Sequence, residues 1–253
     1  MDTRELYHFD DFTEQNYRRL LIKAVQKTDT REFCSYKNIW SGTKSIIWRH
    51  DIDCSVHRAL KMARIEAEVG VHAVYFVMAD SSFYNIMEKD IYDRLNEIKS
   101  LGHEIGIHID CEDLKNCPSE ENLISRLQFL KRLYEELFSQ DIRTFSFHNP
   151  TEDIMNRFYK DTYAGLYNAY SAKIREKAAY CSDSNGYWRF QRLEDFLDEE
   201  NKYPMCVLTH PVWWTPEVLS PAQRIERAIE GRKQCVQTAY ETMLQDYGRL
   251  NVK

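Results

Sequence analysis

The stretch SIIWRHDIDC, residues 45–54, joins an apolar run to two carboxylates. Its first four residues have the composition of a buried β-strand, and Asp51 and Asp53 follow where that strand should end. Side chains of a strand alternate between its faces, so Arg49, Asp51 and Asp53 share one face, opposite His50. Two carboxylates on one face repel each other unless a metal ion or an arginine lies near them. The sequence therefore predicts a charged site at the end of this strand.

Six further segments have the same strand-like character, and helical segments separate most of them. The seven predicted strands are SIIWRHDID (45–53), HAVYFVM (72–78), HEIGIHI (103–109), IRTFSFH (142–148), GLYNAYS (165–171), AAYCSDS (178–184) and PMCVLTH (204–210). The intervening segments carry apolar residues three and four positions apart, as amphipathic helices do. Strands that alternate with helices pair in parallel through crossover helices. This order predicts an α/β fold, either an open doubly wound sheet or a barrel, and seven strands favour a somewhat irregular barrel.

The domain organisation follows from the length. A chain of 253 residues has the size of one α/β barrel, and no low-complexity linker or internal repeat divides it. We therefore expect a single domain over residues 1–253. Residues 1–43 form an N-terminal extension with one helix, and residues 220–253 provide a C-terminal helix whose apolar stripe docks on the barrel.

Charge and composition exclude several functional classes. Lys and Arg total 34 against 40 Asp and Glu, and no basic stripe is present that would follow a nucleic-acid backbone. No apolar run approaches the roughly 18 residues of a membrane span, and the N-terminal residues lack the apolar centre of a signal peptide. The seven cysteines are scattered without a CxxC pair, which argues against a disulfide framework. We expect a cytoplasmic protein with reduced cysteines whose partner is a small molecule and not nucleic acid.

Polar residues recur where the predicted strands end. Asp51 and Asp53 end the first strand, His108 the third, His148 the fourth and His210 the seventh. The carboxyl ends of parallel strands lie at one edge, where ligands bind, so these five side chains should meet. Carboxylate oxygens and imidazole nitrogens are ligands that Zn²⁺ prefers, and an open position on the ion would hold water. The sequence therefore predicts a divalent metal site at this edge.

The order and spacing of these motifs resemble the NodB-homology polysaccharide deacetylases, the carbohydrate esterase family 4 superfamily. The resemblance covers about residues 45–212 and is most specific in LGHEIGIH. The matching segments are RHDID (49–53), AVYFVM (73–78), LGHEIGIH (101–108), DSNGYWR (183–189) and VLTHP (207–211). The resemblance implies a deformed (β/α)7 barrel, a divalent ion, which we expect to be Zn²⁺, and hydrolysis of an amide on a sugar.

Two positions depart from the family pattern. The second metal histidine of the family would fall at position 112, where this chain has Glu112, with Asp110 nearby. SFHNP, residues 146–150, stands in place of the family's Arg-x-x-Pro motif. Either Glu112 binds the metal as a carboxylate or His148 supplies the missing imidazole, and we favour His148. Because the arginine of that motif is absent, Arg49 is the nearest replacement for positioning the base.

Each of the five predicted site residues has an expected role. Asp53, His108 and His148 are expected to bind the metal ion. Asp51 lies close to the metal-bound water without coordinating the ion, and so acts as the general base. His210 protonates the departing amine.

The resemblance and the expected location together suggest a function. We expect an N-deacetylase that acts on an intracellular precursor of a surface glycan, such as lipopolysaccharide O-antigen. One alternative is an enzyme that forms or transfers an amide on a sugar with the same metal site, and another is a non-catalytic sugar-binding barrel.

Two further expectations concern residues near the predicted site. Arg49 and Glu104 should pair beneath the site, and Trp213 and Trp214 either stack on a sugar or close the barrel mouth by packing.

Overall fold

The computed structural model describes residues 2–29, 31–33, 35–41, 44–111, 119–199 and 202–252. Within these ranges, eight strands form one sheet in the order β5-β6-β4-β3-β2-β1-β8-β7. Every neighbouring pair is parallel apart from β5 and β6. The strands are β1 (Ile46–Ile52), β2 (Val74–Val77), β3 (Glu104–Asp110), β4 (Thr144–His148), β5 (Thr162–Tyr163), β6 (Leu166–Asn168), β7 (Ala179–Ser182) and β8 (Met205–Thr209).

Helices connect the strands and flank the sheet. The helices found in the described ranges are α1 (Thr3–Leu6), α2 (Glu14–Lys27), α3 (Val56–Val69), α4 (Lys89–Ser100), α5 (Glu120–Phe138), α6 (Glu152–Arg157), α7 (Ala172–Lys177), α8 (Leu193–Asp198) and α9 (Pro221–Asp246). Among these helices, none is long and apolar enough to cross a membrane.

The fold predicted from the sequence, a deformed (β/α)7 barrel, is confirmed. All seven predicted strands are present, and they are the seven that pair in parallel. The antiparallel β5 was not predicted, because two residues are too short to carry a periodic pattern. The deformation is visible at the sheet edges, since no ladder joins β5 to β7 among the described residues.

Strand β1 lies in the interior of the sheet, between β2 and β8, and all seven of its residues are buried. Its two faces contact different hydrophobic clusters. Ile46, Trp48 and Ile52 belong to the large cluster beneath the helices, whereas Ile47 belongs to a smaller cluster with Phe76. The odd-numbered face therefore points toward the smaller cluster, and Arg49 and Asp51 lie on that same face, as strand alternation requires.

The opposite face of β1 carries a buried polar network. His50 Nε2 lies 2.6 Å from Glu66 Oε1, and Tyr75 donates a hydrogen bond of 2.6 Å to Glu66 Oε2. Tyr17 of α2 donates a further hydrogen bond to the same carboxylate. His50 thus joins β1 to α3 and α2, and it has the structural role that its strand face predicts.

Helix α9 differs from the expectation for the C-terminal helix. Its N-terminus is well formed, with a capping box at Ser220, but only Arg224 and Leu244 are buried along its 26 residues. The prediction that its apolar stripe docks on the barrel is wrong for most of the stripe. Four residues of that stripe are each more than two-fifths exposed: Ile229, Val236, Tyr240 and Met243. Periodic apolar residues indicate an amphipathic helix, but they do not identify what covers it.

Candidate active site

The five predicted site residues line one cavity of about 460 Å³ at the carboxyl ends of the strands. Asp51 lies in β1 and Asp53 directly follows it, whereas His108 lies in β3, His148 ends β4 and His210 follows β8. These four strands lie within the run of five adjacent strands β4-β3-β2-β1-β8, so their ends converge. The structure therefore brings together all five residues that the strand-end argument selected.

The carboxylate of Asp53 is the centre of this group, because three imidazoles surround it. His108 Nε2 lies 3.2 Å from Oδ1, while His148 Nε2 and His210 Nε2 lie 3.9 Å and 3.7 Å from Oδ2. Burial alone would raise the pKa of Asp53, but the hydrogen bond from His108 and the charges of His210 and His148 lower it to about 2. Asp53 is therefore ionised at neutral pH, as a metal ligand must be.

Asp51 is buried beside Asp53 and is held by two side chains. Arg49 donates a hydrogen bond of 2.9 Å to Asp51 Oδ2, and Ser146 donates one of 3.4 Å to the same oxygen. His108 Nε2 lies 3.7 Å from that oxygen. The other oxygen, Oδ1, is buried without a hydrogen-bond partner among the described residues. Buried polar atoms are nearly always paired, so Oδ1 is suited to a bound water or substrate.

Arg49 is fully buried, and its guanidinium carbon lies 4.6 Å from the centre of the Tyr170 ring. Burial would lower the pKa of Arg49, but Asp51 and Tyr170 raise it well above its usual value. The predicted pair of Arg49 with Glu104 is wrong, because Glu104 instead pairs with Arg143 at 3.4 Å. The sheet register explains the error. Strand β2 lies between β1 and β3, which separates residues at the same level by about 10 Å.

His210 is oriented by Asp183, which follows β7. Its Nδ1 lies 2.7 Å from Asp183 Oδ1, and its backbone N–H donates to the same carboxylate. Burial would lower the pKa of His210, but the hydrogen bond and charge of Asp183, with Asp53 adding to them, raise it to about 9. His210 is therefore protonated at neutral pH. Sequence reasoning did not select Asp183, although it too stands where a predicted strand, AAYCSDS, ends.

The two tryptophans after His210 are held by contacts outside the cavity lining. Trp214 is fully buried and donates a hydrogen bond of 2.9 Å to Asp183 Oδ2. Trp213 is partly buried and packs close to Gly186. Neither lines the cavity, so packing and not sugar stacking accounts for both of them. The aromatic wall of the cavity consists of Phe147, Tyr170, Tyr180 and Phe190.

The donor chemistry around Asp53 fits a divalent ion. Two ligands at about 2.1 Å from one ion lie about 3.0–3.4 Å apart, which matches the 3.2 Å between Asp53 and His108. The Nδ1 atoms of His108 and His148 are buried without hydrogen-bond partners among the described residues. The three predicted ligands together are less compact than the pair of Asp53 and His108, because their ligand atoms do not all lie within 4.8 Å of one another.

The two alternative metal ligands that the sequence offered are Glu112 and Asp110. Glu112 lies outside the described residues, so the choice between Glu112 and His148 stays a prediction. Asp110 lies behind His148, with Oδ2 at 3.6 Å from His148 Nδ1. This placement makes Asp110 a neighbour of the proposed ligand, on the side of the ring opposite to the nitrogen that lies near Asp53.

No family model matches the sequence, and no curated protein matches it either. Solved structures that are similar to this chain include carbohydrate esterases of family 4. One is the family 4 domain of a multidomain xylanase from the hindgut metagenome of Trinervitermes trinervoides, with 11% identity and a TM-score of 0.43 over 81% of this chain and 92% of that chain.

Two further neighbours are a chitin deacetylase and a family 4 pseudoenzyme. The chitin deacetylase of Colletotrichum lindemuthianum is 14% identical, with a TM-score of 0.39 over 73% of this chain and 80% of that chain. The pseudoenzyme, from Bacillus anthracis, is 14% identical, with a TM-score of 0.39 over 74% of this chain and 59% of that chain.

Proposed function

We propose that the protein is a metal-dependent amidohydrolase that removes the acetyl group from an N-acetylated sugar. The observation that carries this proposal is the pair of opposite acid-base groups around Asp53. Asp51 presents a buried carboxylate oxygen without a partner in the described structure, and His210 is a protonated imidazole whose Nε2 lies 3.7 Å from Asp53 Oδ2. Amide hydrolysis requires both a proton acceptor for the attacking water and a proton donor for the amine.

Asp53, His108 and His148 are the residues that would hold the metal ion, and we propose Zn²⁺ for this mixed nitrogen and oxygen donor set. When bound, such an ion polarises the amide carbonyl and lowers the pKa of a water molecule. The low pKa of Asp53, about 2, keeps its carboxylate available to a cation over the whole range of physiological pH. The Nδ1 atoms of His108 and His148 have no hydrogen-bond partner within the described residues, so Nε2 of each ring is the nitrogen that would face the ion.

Asp51 is placed to take the proton of the attacking water. Its Oδ2 is occupied by Arg49 and Ser146, which fix the carboxylate plane and leave Oδ1 to receive the proton. Arg49 is itself held between the rings of Tyr170 and Phe76, so the carboxylate cannot easily rotate away. Arg49 thereby replaces the positioning arginine that the sequence lacks in SFHNP.

His210 is placed to give a proton to the departing amine. Asp183 accepts the Nδ1 hydrogen, so the second ring proton must reside on Nε2, which lies 3.7 Å from Asp53 Oδ2 and lines the cavity. An amine leaves poorly without protonation, and a donor with a pKa of about 9 is charged at neutral pH. Once it has donated, His210 is a neutral imidazole that is still oriented by Asp183.

The cavity is consistent with a sugar-sized ligand. Its volume of about 460 Å³ lies within the range of small-molecule sites, and its lining combines charged residues with the apolar side chains of Phe147, Met155 and Ile174. Tyr180 and Phe190 stand 6.3 Å apart with partly exposed rings, which suits the apolar face of a pyranose. We propose a precursor of a surface glycan such as O-antigen as the substrate, and a cytoplasmic location for the reaction.

The proposal is tested with the purified, zinc-loaded protein and a panel of N-acetylated nucleotide sugars and N-acetyl amino sugars. We expect release of acetate together with a free amine in equal amounts. Amide formation from ammonia without acetate release would favour the amide-transferring alternative. Binding of a sugar without either product would favour a non-catalytic barrel, which has no need for a base and a protonated acid in the same cavity.

A further inference from the structure

A second group of potential metal ligands lies away from the cavity described above. His57 is in the first turn of α3, Asp90 is in the first turn of α4, and Cys235 is near the middle of α9. His57 Nε2 lies 3.0 Å from Asp90 Oδ2 and 3.5 Å from Cys235 Sγ, and the three ligand atoms all lie within 4.8 Å of one another. His57 and Cys235 also line a separate cavity of about 180 Å³.

The arrangement is not that of a catalytic Cys-His-Asp relay. In a relay, the thiol and the carboxylate contact opposite nitrogens of the imidazole, so that a proton can pass through the ring. Here Cys235 and Asp90 both approach Nε2 of His57. A thiol, a carboxylate and a ring nitrogen that converge on one point, instead of standing in series, are arranged as the ligands of a cation.

The surrounding charges are compatible with this role. Burial and the charge of Arg94 lower the pKa of His57, with Asp90 acting in the opposite direction, so its imidazole is neutral and can bind a metal at neutral pH. Arg94 donates two hydrogen bonds to Asp90, at 3.1 Å and 2.8 Å, and such bonds commonly orient carboxylate ligands. The other nearby arginine, Arg232, is neutralised by Glu88.

The remaining arginines of this cavity are also paired. Arg58 forms an ion pair with Glu14 at 2.7 Å, and Arg227 forms one with Glu217. Arg224 donates hydrogen bonds to two backbone carbonyls. The cationic groups around the cluster therefore have acceptors of their own and do not need the thiol or the carboxylate of the cluster as a partner.

We propose that His57, Asp90 and Cys235 bind one zinc ion that fixes α9 to α3 and α4. A thiolate, an imidazole and a carboxylate are a typical mixed donor set for Zn²⁺, with a water completing the tetrahedron. The position of the cluster indicates a structural role for the ion. Helix α9 buries only Arg224 and Leu244, so it lacks the apolar contacts that hold an ordinary helix on a barrel, and Cys235 lies between these two points.

The test uses the full-length protein, stripped of metal by a chelator and then dialysed against Zn²⁺ or Co²⁺. In a His108→Ala background, which removes the proposed active-site ion, we expect one zinc per chain and a cobalt-thiolate charge-transfer band. Adding Cys235→Ser, or separately His57→Gln, should remove both the ion and the band. Cys54→Ser is the matched control, because Cys54 is also a half-buried free cysteine, and it should leave both unchanged.

Hydrogen exchange supplies a readout that is independent of catalysis. Chelation of the His108→Ala protein should increase exchange along α9, and this increase should be absent in the His108→Ala, Cys235→Ser protein. The inference is wrong if the His108→Ala protein binds no zinc, or if the cobalt-thiolate band survives Cys235→Ser. Either outcome leaves the proposed hydrolysis untouched, because acetate release depends on Asp53 and His108 and not on Cys235.

Discussion

Asp183 receives three hydrogen bonds from a single short segment: from Nδ1 and the backbone N–H of His210, and from Nε1 of Trp214. The carboxylate is fully buried, so its charge acts on His210 with little screening by solvent. The pKa of His210 is raised to about 9 as a result, despite burial that would lower it. The protonation state of the proposed acid is therefore set by a residue that does not itself line the cavity.

The first prediction concerns Asp183→Asn, which keeps a hydrogen-bond acceptor for His210 but removes the charge. Without that charge the pKa of His210 should fall by about 1–3 units, the usual effect of an opposite charge at this distance. The alkaline limb of the pH-rate profile for acetate release should therefore move to lower pH by a similar amount. Asp195→Asn, at an exposed position of α8, is the control. An unshifted alkaline limb would show that His210 is not the proton donor.

A second prediction concerns stability and pH. A group whose pKa is higher in the folded state stabilises the fold below its ordinary pKa, and this contribution is lost as the pH rises through the folded value. For His210 the ordinary value is 6.5 and the folded value is about 9. The free energy of unfolding of the metal-free protein should fall between these pH values by more in the wild type than in His210→Gln. Urea denaturation across this range measures it, and equal falls would contradict the raised pKa.

The third prediction separates the base from the metal ligands. Asp51→Asn should retain zinc, because Asp51 is held by Arg49 and Ser146, but it should lose a factor of about 10² to 10⁴ in turnover as a general base does. Elemental analysis and acetate release are measured on the same sample. Asp141→Asn, at an exposed site before β4, serves as the control for a lost carboxylate. Full activity of Asp51→Asn would rule out the proposed mechanism.

The fourth prediction decides which of the two candidate residues replaces the second metal histidine of the family. His148→Ala should weaken zinc binding at the active site by at least about tenfold, because it removes one of three protein ligands. Glu112→Gln should leave zinc binding unchanged. Competition with a chromogenic chelator gives both affinities, and a Cys235→Ser background prevents the second proposed ion from contributing. The opposite result, with weak binding only in Glu112→Gln, would replace His148 by Glu112.

Much of the fold and of the cavity could be predicted because both depend on local patterns. Apolar runs located all seven parallel strands, and the rule that parallel strands end at one edge placed Asp51 and His210 in one cavity. The same rule would have selected Asp183, had strand ends been examined for partners as well as for ligands. The partner of Arg49 could not be predicted, because it depends on strand order, and the sequence does not state that β2 lies between β1 and β3.

The group of His57, Asp90 and Cys235 was invisible in the sequence for a related reason. His57 and Cys235 are separated by 178 positions, and each lies on a helix with no local motif around it. Only the docking of α9 near α3 and α4 brings them together. Likewise, the apolar stripe of α9 has the period of a buried helix, and its exposure follows from tertiary contacts that no periodicity encodes.

Because β7 lies at the edge of the sheet, the proposed proton donor should be less resistant to heat than the proposed base. Among the described residues, strand β7 has a ladder only with β8, whereas β1, which carries Asp51 and Arg49, is paired on both sides. Edge strands open at lower free energy than central ones, so warming should release Asp183 from His210 while Asp51 is still in place. We expect amides of β7 to exchange faster than those of β1. In this order of events, the proton donor fails before the base does, and the first sign of thermal inactivation is a loss of activity at alkaline pH alone.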